Sequence, residues 1–300
     1  MSTGLDAVYE ELKRLQLEGM DRVFIEDRTM ALLTPAPAPT PPAAAPVQAI
    51  DLQSAVNSGH KPSAPVPKVA PRKKTPPITI PLPEAPTIKL PDGDASTRMQ
   101  WLEEQVKNSP VCNEHLRKNE KVVFGSGAID ADIFYCGEAP SEEEAEVGSP
   151  FQGESGELLS KILGAMGLSR EAVYMTNILK WRPEHDKPYG NRPPTQEEME
   201  FCLPYLKAQI EIVQPKVIIG LGNATVPGLL GPDPNRKMAT IRGSWQSFGD
   251  IPLIFTFQPS YLLFNDTMKT KRMAWEDMLK AMEKIGLPIS EKQRGYFLPK

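Results

Sequence analysis

Proline is spread so unevenly along this chain that its distribution limits how much of the chain can pack. Of 32 prolines, 16 lie between Pro35 and Pro91, set among Ala, Thr and Ser. Proline fixes φ and lacks a backbone N–H, and its neighbours here offer little apolar surface, so such a stretch cannot build a core. It reads as an extended, partly polyproline linker over residues 33–95. Ahead of it, Leu5, Val8, Leu12, Leu15 and Met20 recur at roughly helical intervals with charges between them. That spacing predicts an amphipathic helix within residues 1–32, suited to docking on a partner. The expected folded domain is 96–290, with 291–300 as a C-terminal tail, a comfortable size for one α/β core.

The net charge of −4 gives no global basic field of the kind that attracts nucleic acid. Phosphate contacts need only a local patch, however, and two exist in sequence: Lys68 with Arg72, Lys73 and Lys74, and Lys269 with Lys271 and Arg272. An ordinary solvated surface is the competing reading for both, and the better one for the linker cluster. No apolar run is long enough to span a bilayer. The start lacks a signal peptide's basic and apolar segments, and three scattered cysteines give no disulfide framework, so a cytoplasmic location is expected.

Within the domain, residues 101–116 read as a helix and 121–125 as a short extended entry. Apolar runs at 131–136, 173–176, 217–221 and 251–257 read as four strands. Helices are expected at 157–166, ended by Gly167, at 195–213, where Thr195 and Glu198 make a capping box, and at 267–285. A small hairpin is expected around 242–245. Strand–helix alternation of this kind implies a three-layer αβα sandwich around a parallel sheet of four strands. Gly220-Leu221-Gly222 lacks the third glycine and the downstream acid of a dinucleotide loop, so it reads as a tight strand-to-helix turn.

The chemistry concentrates in residues 137–156, GEAPSEEEAEVGSPFQGESG, and in Thr176-Asn177 at the end of a strand. A carboxylate, an aromatic ring and a side-chain amide are thereby brought to the ends of parallel strands, where α/β sheets bind ligands. Such a trio can hold a flat heterocycle, stacked on Phe151 and read along its edge by Asn177, while Glu138 or Glu144 orients a water. Singly, each has a plainer explanation: a core phenylalanine, a turn asparagine, a solvated acidic face. Their joint spacing favours the site.

The order of motifs resembles the uracil-DNA glycosylase superfamily, most closely its iron–sulfur family-four type. The resemblance rests on Val123-Phe124-Gly125, Gly137-Glu138-Ala139-Pro140, Gly148-Ser149-Pro150-Phe151, Thr176-Asn177 with Lys180, Asn191-Arg192, Arg242-Gly243 and Pro259-Ser260-Tyr261-Leu262-Leu263. Residues 202–209 and 215–222 add to it, and it covers most of 109–280. It implies an enzyme of base excision repair that flips uracil out of DNA and hydrolyses its N-glycosidic bond. Phe151 matches the stacking ring and Asn177 the amide that reads uracil O4 and N3–H. Glu138 matches the water-positioning carboxylate and Glu144 the second acidic position. Pro140, Ser141, Arg242, Gly243, Pro259 and Ser260 match DNA-contacting loops. The implied substrate is uracil-containing DNA, the protein acting as a monomer, with the N-terminal helix and linker available to a protein partner.

Four departures stand out. Gln258 replaces the histidine that faces uracil O2; it serves catalysis and uracil binding in this reading, but cannot carry a positive charge, which predicts slower cleavage. Of four cluster cysteines only Cys112 and Cys202 remain, with Ser109 and Trp181 at the other positions. The expectation is therefore no metal and no cofactor, with Trp181 occupying cluster space. Ser141 stands where the family has glycine, either tightening the turn or displacing the water. Residues 184–190 extend a loop and bring His185, most simply an exposed histidine. Two alternatives follow: a weak or inactive binding module tethered by its N-terminal segment, and a glycosylase for another damaged base.

Overall fold

The computed structural model describes residues 82–183, 192–233, 235–236 and 238–298. The expected N-terminal helix, the linker up to residue 81, His185 and Asn191 lie outside them. Residues Thr79–Lys300 form one compact unit.

The described chain runs α1 (Ala95–Lys107), α2 (Pro110–Glu114), β1 (Ser126–Gly127), β2 (Ile133–Gly137), α3 (Glu142–Val147), α4 (Gly153–Met166) and β3 (Tyr174–Asn177). It continues with α5 (Gln196–Val213), β4 (Val217–Leu221), α6 (Thr225–Leu230), α7 (Met238–Ile241), β5 (Trp245–Phe248), β6 (Ile251–Thr256), α8 (Pro259–Phe264), α9 (Met268–Ile285) and α10 (Glu291–Arg294). The sheet order is β1-β3-β2-β4-β6-β5. The four expected strands form its parallel centre, β3-β2-β4-β6. Two antiparallel edges enlarge the sheet to six strands: β1 on β3, and β5 on β6, a hairpin that begins at Trp245, where the one expected around 242–245 ends.

Strand residues alternate between two cores, as a period of two requires. Phe134, Cys136, Ile218, Leu253 and Phe255 pack with α1, α5 and α6. Tyr135, Met175, Val217, Ile219 and Ile254 pack with α4 and α9 on the other face. This is the three-layer sandwich that the strand–helix alternation predicts.

Three boundaries differ from expectation. The helix expected over 101–116 is two, because Ser109 caps α2 and Pro110 occupies its first turn, where a missing N–H costs nothing. The linker ends earlier than residue 95, since Leu82, Ile88 and Leu90 pack against the core. The tail is partly docked: Gln293 of α10 donates to Ala165 O and accepts from the Trp275 indole N–H, at 2.8 and 2.6 Å. Capping follows the sequence closely, with Thr195 boxing α5 and Thr267 capping α9.

Candidate functional site

Parallel strands deliver their C-terminal ends to one edge of the sheet, and register decides which residues meet there. Gly137 lies directly opposite Asn177. Two further bonds tie the segments that follow: Ile178 N–H donates to Gly137 O at 2.9 Å and Leu179 N–H to Glu138 O at 3.0 Å. The backbones carrying Glu138 and Asn177 are thus one unit.

Gly137 cannot be another residue without closing this corner. A Cβ there would collide with Asn177 Oδ1 and come within 3.0 Å of Phe151 Cζ. The amide and the ring tip therefore converge on one bare α-carbon. Asn177 is buried, and its Nδ2 has no hydrogen-bond partner among the described residues. An unpaired buried N–H costs about 1–3 kcal/mol, a condition that the Trp181 indole N–H shares among the described residues. At the end of β4, Gly222 (φ +88°) backs onto Gln258, whose Oε1 would be 3.2 Å from a Cβ at that glycine. Gln258 is the N-cap of α8 but makes no capping bond with its side chain, which leaves its amide available.

Phe151 is held in an unusual way. It sits in the left-handed region at φ +53°, a conformation that costs an L-residue about 1–2 kcal/mol. Glu144 compensates. Its Oε1 accepts a short bond from the Phe151 N–H, and its Oε2 accepts from the Ser141 N–H at 2.6 Å. Ser141 answers by capping α3 through the Glu144 N–H, at 3.3 Å. Each oxygen of the carboxylate expected to orient a water thus accepts from a backbone N–H. The same bonds decide the role of Ser141, which tightens the turn. Burial pushes the Glu144 carboxyl above its ordinary value, partly offset by these bonds and by the Asn177 amide beside it, which is close without reaching hydrogen-bond geometry.

Glu138 is different. Burial alone raises its carboxyl to about 7, with no described hydrogen bond holding it, so it remains free to take a proton near neutrality.

The loops expected to meet DNA are only partly exposed. Pro140 and Pro259 are buried, and Ser141 and Ser260 are half-buried. Arg242 is turned inward, donating to Asp277 Oδ2 at 2.6 Å and to Met273 O at 2.9 Å, while its guanidinium lies 5.1 Å from the Phe257 ring centre. In this arrangement it braces the loop against α9. Gly243 (φ +67°) lies against the same Asp277, with its carbonyl accepting from Lys280 at 2.6 Å. Lys271 pairs with Asp266, and Arg272 binds Glu276 and two C-terminal carbonyls, which leaves Lys269 as the exposed charge of that cluster. Sequence reasoning missed the apolar rim beside Gln258. Leu263, Phe264 and Met268 are exposed, and helical spacing of apolar residues gives no warning that a helix turns them outward.

On the far side of β3, Lys180 is fully buried. Its ammonium donates to Thr176 Oγ1, Asn177 O and Gln209 Oε1, each at 2.8 Å, and to Phe124 O at 3.3 Å. Burial still pulls its pKa down to about 8. The adjoining space is where the resemblance implies an iron–sulfur cluster, and the residues do not fit one. Trp181 is fully buried there, edge-on to His115 at 4.6 Å and to Phe201 at 6.1 Å, and the Ser109 hydroxyl caps the Cys112 N–H. Cys112 and Cys202 remain as buried neighbours, and among the described residues no group of three or more His, Cys, Asp or Glu could hold a metal.

The fold is an α/β sandwich that brings an aromatic ring and a carboxamide together at the C-terminal ends of its central parallel strands. Residues 124–279 match the family model of the uracil DNA glycosylase superfamily. The chain is 40% identical over 186 residues to a type-4 uracil-DNA glycosylase of Thermotoga maritima, covering 61% of this chain and 92% of that one. It is 38% identical over 196 residues to another from Saccharolobus solfataricus, covering 62% and 86%. The chain belongs to the uracil-DNA glycosylase superfamily. No helix among the described residues is long and apolar enough to cross a membrane.

Proposed function

We propose that this chain is a DNA N-glycosylase that rotates a uracil out of DNA, holds it in a slot and hydrolyses the bond joining it to deoxyribose. The observation that carries the reading is the buried, unpartnered Nδ2 of Asn177, set beside the Phe151 ring across Gly137. A pyrimidine stacked on that ring presents O4 to Nδ2 and N3–H to Oδ1. Cytosine presents an amine and a bare N3 instead, so its bonds would be donor on donor and acceptor on acceptor, a mismatch that discriminates strongly.

The reaction needs a water at the sugar carbon C1′. Its oxygen forms the new bond, its proton passes to Glu138, and the N1–C1′ electron pair leaves with the base. Charge accumulates on uracil O2, where the Gln258 amide donates. A neutral amide stabilises that charge less than an imidazolium would, so turnover is slower than in histidine-bearing relatives. The protein does this without an iron–sulfur cluster, Trp181 having closed the space. Rim residues Ser141, Gly243 and Ser260 meet the DNA backbone, and Arg242 supports them from behind. The chain works as a cytoplasmic monomer of base excision repair, and its N-terminal helix and Pro-rich linker engage a protein partner.

The test is a uracil-containing oligonucleotide incubated with purified protein and probed for abasic sites, beside Asn177→Ala. Excision lost in that variant supports the assignment. Excision unchanged by it removes the amide from the mechanism, and no excision by the parent protein leaves only a binding module. An absorbance band near the visible region would count against the cluster-free reading.

A further inference from the structure

We infer that Glu144 is a positioning residue for the stacking ring, holding Phe151 in the one backbone conformation that opens the slot. The inference rests on the reading of Phe151 and Asn177 as the base-binding pair and goes beyond it, because it gives Glu144 a role exerted through the Phe151 backbone.

Phe151 follows a turn, and at φ +53° it departs from what an unconstrained phenylalanine adopts. Three contacts fix it there. Its N–H is held by Glu144 Oε1, and the other carboxylate oxygen is anchored by the Ser141 N–H at the start of α3. Its carbonyl lies so close to Gly156 of α4 that no side chain fits between them. The preceding carbonyl, Pro150 O, accepts from Arg170 at 2.9 Å. Helix α3 is fixed in turn: Glu142 pairs with Arg182 at 3.1 Å, and Lys121 N–H donates to Ala145 O at 2.7 Å. A carboxylate suits this place because both of its oxygens only accept. A carboxamide of the same shape keeps one acceptor and turns an NH2 onto a backbone N–H, donor against donor. The ring then loses its tether while the fold around it stays.

The experiment is single-turnover excision from a uracil oligonucleotide by the full chain, giving a maximal rate and a half-saturating protein concentration. Glu144→Gln should lower the maximal rate about 10- to 100-fold, the scale of a misplacement of about 1 Å, with half-saturation moving less than about threefold. Phe151→Ala should lose rate as well, and Glu144→Gln added to it should cost little more, since the tether has nothing left to hold. Glu142→Gln keeps both N–H donors on Glu144 but loses the ion pair of α3 with Arg182; it should melt slightly earlier and excise at nearly the parent rate. The inference is overturned if Glu144→Gln keeps the parent rate, if its loss multiplies with that of Phe151→Ala, or if Glu142→Gln loses rate in step with its melting temperature. Asn177→Ala separates the two readings. If that variant is inactive while Glu144→Gln is not, only the positioning role fails; if it excises normally, the base-binding pair fails and the positioning role with it.

Discussion

The two sides of β3's end are built differently. On the Phe151 side, Asn177 keeps a buried donor unpaired and Phe151 a backbone conformation that costs energy. On the other side, Lys180 has four oxygen acceptors, and Trp181, His115 and Phe201 fill the remaining space with ring contacts, although the Trp181 indole N–H is itself without a partner among the described residues. Backbone strain falls on the first side alone; a gripped cation holds the second. Strain and unpaired groups are tolerated only where neighbouring structure over-determines them. Here, Lys180 grips the Asn177 carbonyl from behind while the Asn177 side chain waits in front.

Substitutions should therefore separate along that divide. The largest activity loss belongs to Asn177→Ala: about 10²–10³-fold in single-turnover excision, with a melting temperature close to the parent's, measured by product gel and calorimetry. A comparable fall in stability would merge the two sides. Lys180→Met should do the reverse first, destabilising the fold by about 2–4 kcal/mol in a denaturant titration, because the buried oxygens gathered around the ammonium lose the charge that ties them together. A smaller effect is expected of pH. Glu138 is raised to about 7 in the folded chain against 4.5 for an ordinary glutamate, so the native state holds its proton longer. Its contribution to stability is complete below about 4.5 and is lost as pH rises through about 7, whereas excision, needing the ionised form, should climb over the same range. Glu138→Gln should abolish most excision, remove that pH dependence and stabilise the fold by about 1–2 kcal/mol at pH 8. The smallest change is Gln258→His, expected to raise the excision rate about tenfold at pH 6, where the imidazole is charged, and less at pH 8. No gain at pH 6 would place the O2 contact elsewhere.

What the sequence reveals follows the same divide. The four parallel strands, the boxed helix behind Thr195 and the pairing of Phe151 with Asn177 could be read because each is a local pattern or a matched spacing. The tether of Phe151 could not. Glu144 lies in a run of acids that looks solvated, and only folding brings the Phe151 N–H onto its carboxylate, seven residues away. The ion pair of Arg242 is hidden for a related reason: a basic residue beside a glycine suggests phosphate, and nothing in the local sequence announces Asp277, thirty-five residues on. The break at Pro110 was visible in principle, since a proline preceded by serine begins a helix more readily than it continues one.

The pairing of Gly137 with Asn177 across β2 and β3 has a consequence for how this protein can lose accuracy. Sliding β3 by a single residue would present a hydroxyl where the carboxamide belongs and send the carboxamide into the opposite core. Selectivity is thus guarded by residues that never meet a nucleotide, such as Met175 and Val217, whose fit keeps neighbouring strands in phase. Damage at those interior positions would be felt first as misreading, before it was felt as unfolding.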